Sequence, residues 1–194
     1  GYPVSSAGDV NGDGYSDVIV GAFSYDNGQF DEGAAFIYHG SANGISTTAA
    51  IMLESNQIAA RFGISIASAG DVNGDGYSDV LIGAAYYDNV ESDEGTVFIY
   101  HGSTAGINAI ANTQIESNQV SAYFGGSVAT AGDVNRDGFS DIIVGAYGYD
   151  NGQVNEGVVF IYRGSVTGIS TVATKQIEYN QASAQFGISV ASAG

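Results

Sequence analysis

Carboxylate and amide side chains recur at fixed spacing in a short glycine-rich segment that the sequence contains three times. The segment reads DVNGDGYSD at 9–17 and at 71–79, and DVNRDGFSD at 133–141. Oxygen-bearing side chains occupy positions one, three, five and nine, and glycine occupies position six. This spacing lets one tight loop wrap its oxygens around a single cation, with a backbone carbonyl added from position seven.

The predicted metal ligands occupy the same positions in every copy. They are Asp9, Asn11, Asp13, Tyr15 and Asp17; Asp71, Asn73, Asp75, Tyr77 and Asp79; and Asp133, Asn135, Asp137, Phe139 and Asp141. A flexible set of oxygen ligands favours Ca²⁺, because Mg²⁺ demands octahedral order and usually keeps several waters. The predicted cofactor is therefore Ca²⁺, one ion per repeat and three in this chain. Ordinary Asp-Asn-Gly turns are the alternative interpretation.

The segment differs from an EF-hand loop at its twelfth position. An EF-hand has a bidentate Glu there, whereas the three copies have Val20, Ile82 and Val144. We therefore expect the loop to lie between strands, with Gly14 in the positive-φ region that the turn requires. Nine Asp carboxylates in three loops repel one another unless a cation neutralises them, so the metal is expected to stabilise the fold.

The acidic segment belongs to a repeat with a period of 62 residues and no insertion. The predicted repeats are 1–62, 63–124 and 125–186, followed by 187–194. The last eight residues match 1–8 in phase, and we expect them to be the first strand of a further repeat.

Each repeat contains four apolar runs separated by turn residues, which in the second copy include DVLIGAAYYD and GTVFIYHG. Four short strands per period predict one antiparallel blade of an all-β propeller. A solenoid of stacked four-stranded units is the structural alternative. In either case successive connections alternate between two ends, so the acidic loops share one end with segments such as HGSANGIS.

Composition limits the function classes that fit the chain. The 194 residues are 44% hydrophobic and include 29 Gly, one Pro and no Cys, which favours a folded, turn-rich β protein without disulfides or thiolate metal sites. The formal charge of −17 argues against nucleic-acid partners. No apolar run approaches the ~18 residues needed to span a bilayer, so we expect no membrane insertion.

The combined motifs resemble the FG-GAP repeat of integrin α-subunit propellers and of many bacterial secreted proteins. The resemblance rests on Phe62-Gly63, AGDVNGDGYSDVLIGA at 69–84 and GTVFIY at 95–100, and it covers essentially the whole chain. It implies one blade per repeat, calcium in the loop between the first two strands, and commonly about seven blades. Three blades leave the ring to be completed by further repeats or by another chain. The Pro that ends the family motif is replaced by Phe23, Ala85 and Tyr147.

Other polar groups give weaker signals. His39 and His101 share one repeat position, and we expect them to be exposed residues at a strand end. The acidic pairs Asp31-Glu32 and Asp93-Glu94, with Asn155-Glu156 in the third repeat, could form a second ion site or a glycosidase pair, but a solvated acidic loop is the preferred interpretation. Identical repetition offers no unique catalytic position, so we predict that the protein is not an enzyme.

The leading functional hypothesis is a calcium-stabilised protein outside the cell or at its surface. Its role would be structural or adhesive, as a unit of a tandem-propeller fibre that associates with itself or with neighbouring repeats. A protein or glycan ligand on one loop face is a further expected partner. The alternative hypothesis is a lectin-like propeller, or a module attached to a secreted enzyme, that uses its aromatic residues to stack on sugars.

Overall fold

The computed structural model describes residues 3–192, so the first two and the last two residues of the predicted repeats lie outside it. The described range forms twelve strands. Blade 1 contains β1 (Val4–Gly8), β2 (Asp17–Ala22), β3 (Ala34–Tyr38) and β4 (Ile51–Glu54). Blade 2 contains β5 (Ser65–Gly70), β6 (Asp79–Ala84), β7 (Thr96–Tyr100) and β8 (Thr113–Glu116). Blade 3 contains β9 (Phe124–Gly132), β10 (Asp141–Ala146), β11 (Val158–Tyr162) and β12 (Lys175–Ile177).

The strands form three separate four-stranded sheets, and each strand pairs antiparallel with its neighbour in sequence. This confirms the all-β fold and the three blades that the repeats predict. It also confirms that the acidic loops lie at the same end as the connections that follow β3, β7 and β11. Within the described residues, no helix is long and apolar enough to cross a membrane.

A bulge at the end of the first strand of each blade leads into the acidic loop. In blade 1 the pairing of β1 with β2 shifts between Ser6 and Gly8, and Gly8 has φ +77°. In blade 2 the same shift falls between Ser68 and Gly70, at φ +75°. The glycine accepts this conformation without a Cβ clash, and the bulge turns the chain out of the sheet into the loop.

The hydrophobic core lies between blades, because each middle strand carries apolar side chains on both faces. We call the face of a blade that packs on the next blade its trailing face; in blade 1 it consists of Ala7, Val10, Ile19, Ala35, Ile37 and Leu53. We call the opposite face its leading face; in blade 2 it includes Ile66, Val80, Ile82, Phe98, Tyr100 and Ile107. These two faces form one buried cluster, and the trailing face of blade 2 forms a second cluster with the leading face of blade 3.

The final described residues do not form the predicted first strand of a further repeat. Residues 187–192 have no strand, and Val190 donates its backbone N–H to the hydroxyl of Ser127 at 2.9 Å. A first strand pairs with the second strand of its own blade, as β1 does with β2, and among residues 3–192 no such partner strand lies beside residues 187–192. Residues 193 and 194 lie outside the described range.

Candidate metal centre

Backbone amides of each acidic loop curl around the carboxylate of its first residue. Asp9 accepts N–H groups from Gly12 at 2.7 Å and Asp13 at 3.1 Å on Oδ1, and from Gly14 at 2.8 Å on Oδ2. Asp71 accepts the equivalent amides at 2.6, 3.2 and 2.8 Å. As expected for the sharp turn, Gly14 has φ +89°. In the third loop these amides, chiefly that of Gly138, hold the pKa of Asp133 below its usual range.

The third and fifth positions of the loop face each other. In the first loop Asn11 Oδ1 accepts the N–H of Asp13 at 3.0 Å, and Asn11 Nδ2 donates to Asp13 Oδ2 at 3.0 Å. Asp13 Oδ1 also accepts the N–H of Tyr15 at 2.9 Å. The same side-chain pair forms between Asn73 and Asp75 at 2.8 Å. The side chains of the third and fifth positions are therefore held together within the loop.

The ninth position has a structural role that its spacing did not indicate. Asp17 is fully buried, and it accepts the N–H of Val10 at 2.9 Å on Oδ2 and that of Gly40 at 2.8 Å on Oδ1. Asp79 and Asp141 are equally buried and make the same two bonds. Burial raises the pKa of Asp79 to about 7, although the two amides oppose this effect. Each carboxylate thus ties the acidic loop to the connection after the third strand.

The donor set fits a hard cation, since every predicted ligand atom is an oxygen and sulfur is absent from the loops. Among residues 3–192 no three or more His, Asp or Glu side chains are gathered closely enough to hold an ion. The carboxylates are turned instead onto backbone amides and onto the amide of Asn11 or Asn73. The ligand assignment of all fifteen positions therefore stays a prediction.

Neighbouring acidic loops contact each other across the blade interface, which sequence reasoning missed. A Cβ added to Gly12 would lie 2.6 Å from the Tyr77 ring, so this ring covers the first loop. Phe139 covers Gly74 of the second loop in the same way. The signal in the sequence was that position seven is aromatic in all three copies.

His101 is not the exposed strand-end residue that the sequence suggested. Its ring is half-buried, its Nδ1 lies 3.2 Å from Nδ2 of Asn73, and its Nε2 is buried without a hydrogen-bond partner among the described residues. The ring lies against Gly168 of blade 3, and this burial lowers the pKa of His101. Its position at the seam between two blades explains the difference, because the next blade covers the strand end.

A second set of carboxylates lies at the opposite end of the blades, and the preferred interpretation of these residues as solvated was wrong. Glu32, Glu94 and Glu156 are fully buried. Glu94 Oε1 accepts the backbone N–H groups of Asn89 at 2.8 Å and Val90 at 2.9 Å, whereas its Oε2 has no partner among the described residues. Each Glu holds the connection between the second and third strands in place, which a solvated acid could not do.

The same end of the molecule carries a row of aromatic side chains that crosses from blade to blade. The Arg61 guanidinium lies 4.5 Å from the ring centroid of Tyr86, and the Tyr86 centroid lies 5.2 Å from that of Tyr123. Tyr123 stacks on Tyr147 at 4.9 Å with an interplanar angle of 9°. Most other ring pairs, such as Phe62 with Phe98, belong to the inter-blade core.

Comparison with known proteins identifies the repeat. The family model described as FG-GAP repeat matches residues 2–38, 62–100 and 124–162. The chain is 33% identical over 179 residues to integrin alpha-5 of Xenopus laevis, which covers 88% of the chain and 17% of that relative. It is 37% identical over 151 residues to human integrin alpha-6, covering 75% of the chain and 12% of the relative.

A third relative gives the same result. Integrin alpha-V of Gallus gallus is 36% identical over 159 residues, or 77% of the chain and 15% of the relative. The chain therefore spans less than a fifth of the length of these integrin subunits. Both the matched repeats and the observed blades lead to one conclusion: this chain belongs to the FG-GAP repeat family.

Proposed function

We propose that the chain is a non-enzymatic, calcium-stabilised repeat protein of the extracellular space or cell surface, with a structural or adhesive role. One observation carries the proposal: the same loop geometry is present in all three blades, with two or three backbone amides bonded to the first carboxylate and the third and fifth side chains in contact. The similarity to integrin α subunits supports the adhesive role.

The bound Ca²⁺ would supply positive charge at each loop. Asp9, Asn11, Asp13 and Asp17 would hold it in the first loop, with the Tyr15 carbonyl, and the equivalent residues would do so in the other two. Three ions would change the formal charge from −17 to −11. A protein that depends on such sites fits an extracellular location, because extracellular modules bind calcium with Kd values on the order of 10⁻⁴–10⁻³ M.

Partners follow from the incomplete ring. The described residues form three blades, and closed propellers use typically four to eight. We propose that neighbouring repeats or a second copy complete the propeller, in the manner of a unit of a tandem-propeller fibre.

Titration calorimetry tests the calcium part of the proposal. Calcium-free protein titrated with CaCl₂ is expected to bind three ions per chain with Kd on the order of 10⁻⁴–10⁻³ M. A single-loop variant, Asp75→Asn, is the matched control and is expected to leave two ions bound per chain. Absence of calcium binding to the unmodified chain would overturn the proposal.

A lectin-like function is the second candidate, and the aromatic row from Tyr86 to Tyr147 favours it. Aromatic faces and a neighbouring guanidinium suit stacking on a sugar ring. A glycan array in CaCl₂ decides between the two candidates. Specific glycan binding that Tyr123→Ala abolishes would support the lectin, and its absence together with calcium-dependent self-association would support the structural role.

A further inference from the structure

Five asparagines of the chain are followed directly by glycine, and the structure separates them into two groups. They are Asn11, Asn27, Asn43, Asn73 and Asn151. An Asn-Gly pair is prone to cyclise, because glycine has no Cβ to obstruct the approach of its backbone nitrogen to the carbonyl carbon of the Asn side chain. The nitrogen reacts only after it has lost its proton, so the hydrogen bond that this N–H donates controls the reaction.

Three of the five glycine N–H groups donate to an oxygen of the protein. Gly12 and Gly74 donate to the first carboxylate of their acidic loops, at 2.7 and 2.6 Å. Gly44 donates to the Ser41 carbonyl at 2.9 Å. At these positions the hydrogen bond must break before the nitrogen can react, and a carboxylate acceptor also disfavours the negative charge of a deprotonated amide. The fold therefore protects three of the Asn-Gly pairs.

The other two Asn-Gly pairs lie in the connections between the second and third strands of blades 1 and 3. The N–H groups of Gly28 and Gly152 have no hydrogen-bond acceptor among residues 3–192, and both glycines are exposed. In each connection the N–H groups immediately before and after the glycine donate to the buried Glu32 or Glu156. Each exposed glycine nitrogen thus lies between two anchored amides and is itself unprotected.

The same position of blade 2 provides an internal comparison. Val90 follows Asn89 there, and the Val90 N–H donates to Glu94 Oε1 at 2.9 Å. In all three blades the Asn side chain makes one common bond, in which Nδ2 donates to the Glu that ends or follows the fourth strand. The blades therefore differ in the residue after the Asn, and in blade 2 both the bonded N–H and the β-branched side chain oppose cyclisation.

We propose that Asn27 and Asn151 are sites of spontaneous deamidation, at which the chain converts to aspartate and isoaspartate while the other three Asn-Gly pairs are retained. In blade 1, hydroxide removes the N–H proton of Gly28, and the nitrogen forms a bond to Cγ of Asn27. The Cγ–Nδ2 bond breaks, and Nδ2 takes a proton from water and leaves as ammonia. Water then opens the cyclic imide at either carbonyl, so the net reaction consumes one water and releases one ammonia.

The modification changes a specific contact at the end of the blades opposite the acidic loops. Asn27 Nδ2 donates to Glu54 Oε2 at 2.7 Å. In the aspartate product a carboxylate replaces this donor, so the bond is lost and two like charges face each other. In the isoaspartate product the main chain also runs through the former side chain, which lengthens the connection that Glu32 anchors. Conversion at both sites adds two negative charges and takes the formal charge from −17 to −19.

Peptide mapping by mass spectrometry tests the proposal on the whole chain, incubated at mildly alkaline pH and sampled over days to weeks. Each conversion adds about 1 Da. The chain unfolded in guanidinium chloride gives the rate of every Asn-Gly pair without the fold, so the ratio of unfolded to folded rate measures protection. We expect this ratio to be at least about fivefold larger at Asn11, Asn43 and Asn73 than at Asn27 and Asn151. Equal protection of all five pairs overturns the proposal.

Substitutions assign the modification to its sites. Asn27→Gln and Asn151→Gln keep an amide but need a larger ring, so each is expected to abolish the mass shift of its own peptide. Gly28→Val gives blade 1 the Asn-Val pair of blade 2 and is expected to stop conversion at Asn27. Asn43→Gln is the matched control and is expected to leave the early mass shift of the whole chain unchanged. An early mass shift that persists in the double Gln variant of Asn27 and Asn151 overturns the assignment.

The variant Asn27→Asp imitates one product and tests the effect on the fold. It is expected to lower the Tm by about 2 to 4 °C, because Glu54 loses its donor. Asn43→Asp is the control, since the Asn43 side chain makes no hydrogen bond among residues 3–192, and it is expected to leave the Tm unchanged. Equal Tm values of the two variants would overturn the weakening of this contact. The inference goes beyond the proposed function and does not rest on it, because the mass shift is measured whether or not Ca²⁺ binds.

Discussion

Ser78 and Asp9 join neighbouring blades through two hydrogen bonds: the Ser78 N–H donates to the Asp9 carbonyl at 3.0 Å, and the Asp9 N–H donates to the Ser78 hydroxyl at 3.2 Å. Asp9 opens the first acidic loop, and Ser78 lies near the end of the second. The loops are therefore one connected edge of the molecule. A cation that orders one loop is therefore expected to order the neighbouring loop as well.

Ser78→Ala tests this connection. The substitution removes the acceptor of the Asp9 N–H, so it is expected to lower the free energy of unfolding by about 1 kcal/mol in urea titrations. Ser16→Ala is the matched control, because Ser16 occupies the same repeat position in blade 1 and is exposed. Equal effects of the two substitutions would argue against the inter-blade contact.

The fifth and ninth positions of one loop are expected to behave differently. Asp79 accepts hydrogen bonds from two backbone N–H groups, and Asp79→Asn places an amide N–H donor against one of them. In the presence of a chelator this substitution is expected to lower the free energy of unfolding by about 1–3 kcal/mol. Asp75→Asn keeps an oxygen for the Tyr77 N–H and removes a charge, so it is expected to weaken calcium binding with little change in metal-free stability. Chemical denaturation with and without calcium measures both. Identical profiles for the two variants would contradict the separate roles.

The buried carboxylate at the opposite end is expected to be a main determinant of stability. Glu94→Ala leaves the amides of Asn89 and Val90 buried without an acceptor, which is expected to cost about 2–3 kcal/mol. Glu94→Gln keeps an acceptor oxygen and is expected to cost less. Glu91→Ala, on the same connection, is the control for a partly exposed acid. A Glu94→Ala variant as stable as this control would show that the amides find other partners.

Buried tyrosines predict unfolding at alkaline pH. Burial raises the pKa of Tyr100 and Tyr162 above the usual value near 10. Above that value the unfolded chain loses phenolic protons that the folded chain retains, so stability is expected to fall as the pH rises beyond about 10. Denaturant titrations at several pH values measure the slope. Tyr100→Phe should reduce it, whereas Tyr179→Phe should not, because Tyr179 is 75% exposed; equal slopes would contradict burial as the cause.

The strands and the loop positions were predictable because the repeat supplies three copies of one pattern. Apolar runs between glycine-rich turns predict the second and third strands of every blade, such as β6 and β7 of blade 2. The positive φ of Gly14 followed from the same loop spacing. What a repeated pattern cannot show is which side chains the next blade covers, and this is why the contact of Tyr77 with Gly12 was missed.

The burial of Glu94 was also missed, because an acid in a polar connection is normally solvated. A signal was nevertheless present in the sequence. The residue before it varies, from Asp31 and Asp93 to Asn155, whereas the Glu itself is the same in all three copies. A side chain that makes specific buried hydrogen bonds cannot be exchanged as freely as its exposed neighbour.

Thermal melting followed by circular dichroism, in CaCl₂ and in a calcium chelator, tests the central claim most directly. With CaCl₂ at about ten times Kd, each independent site is expected to add about 1.4 kcal/mol. Three such sites are expected to raise the Tm by about 8 to 17 °C relative to the chelated protein. The same Tm in both solutions would contradict the claim that calcium stabilises these blades.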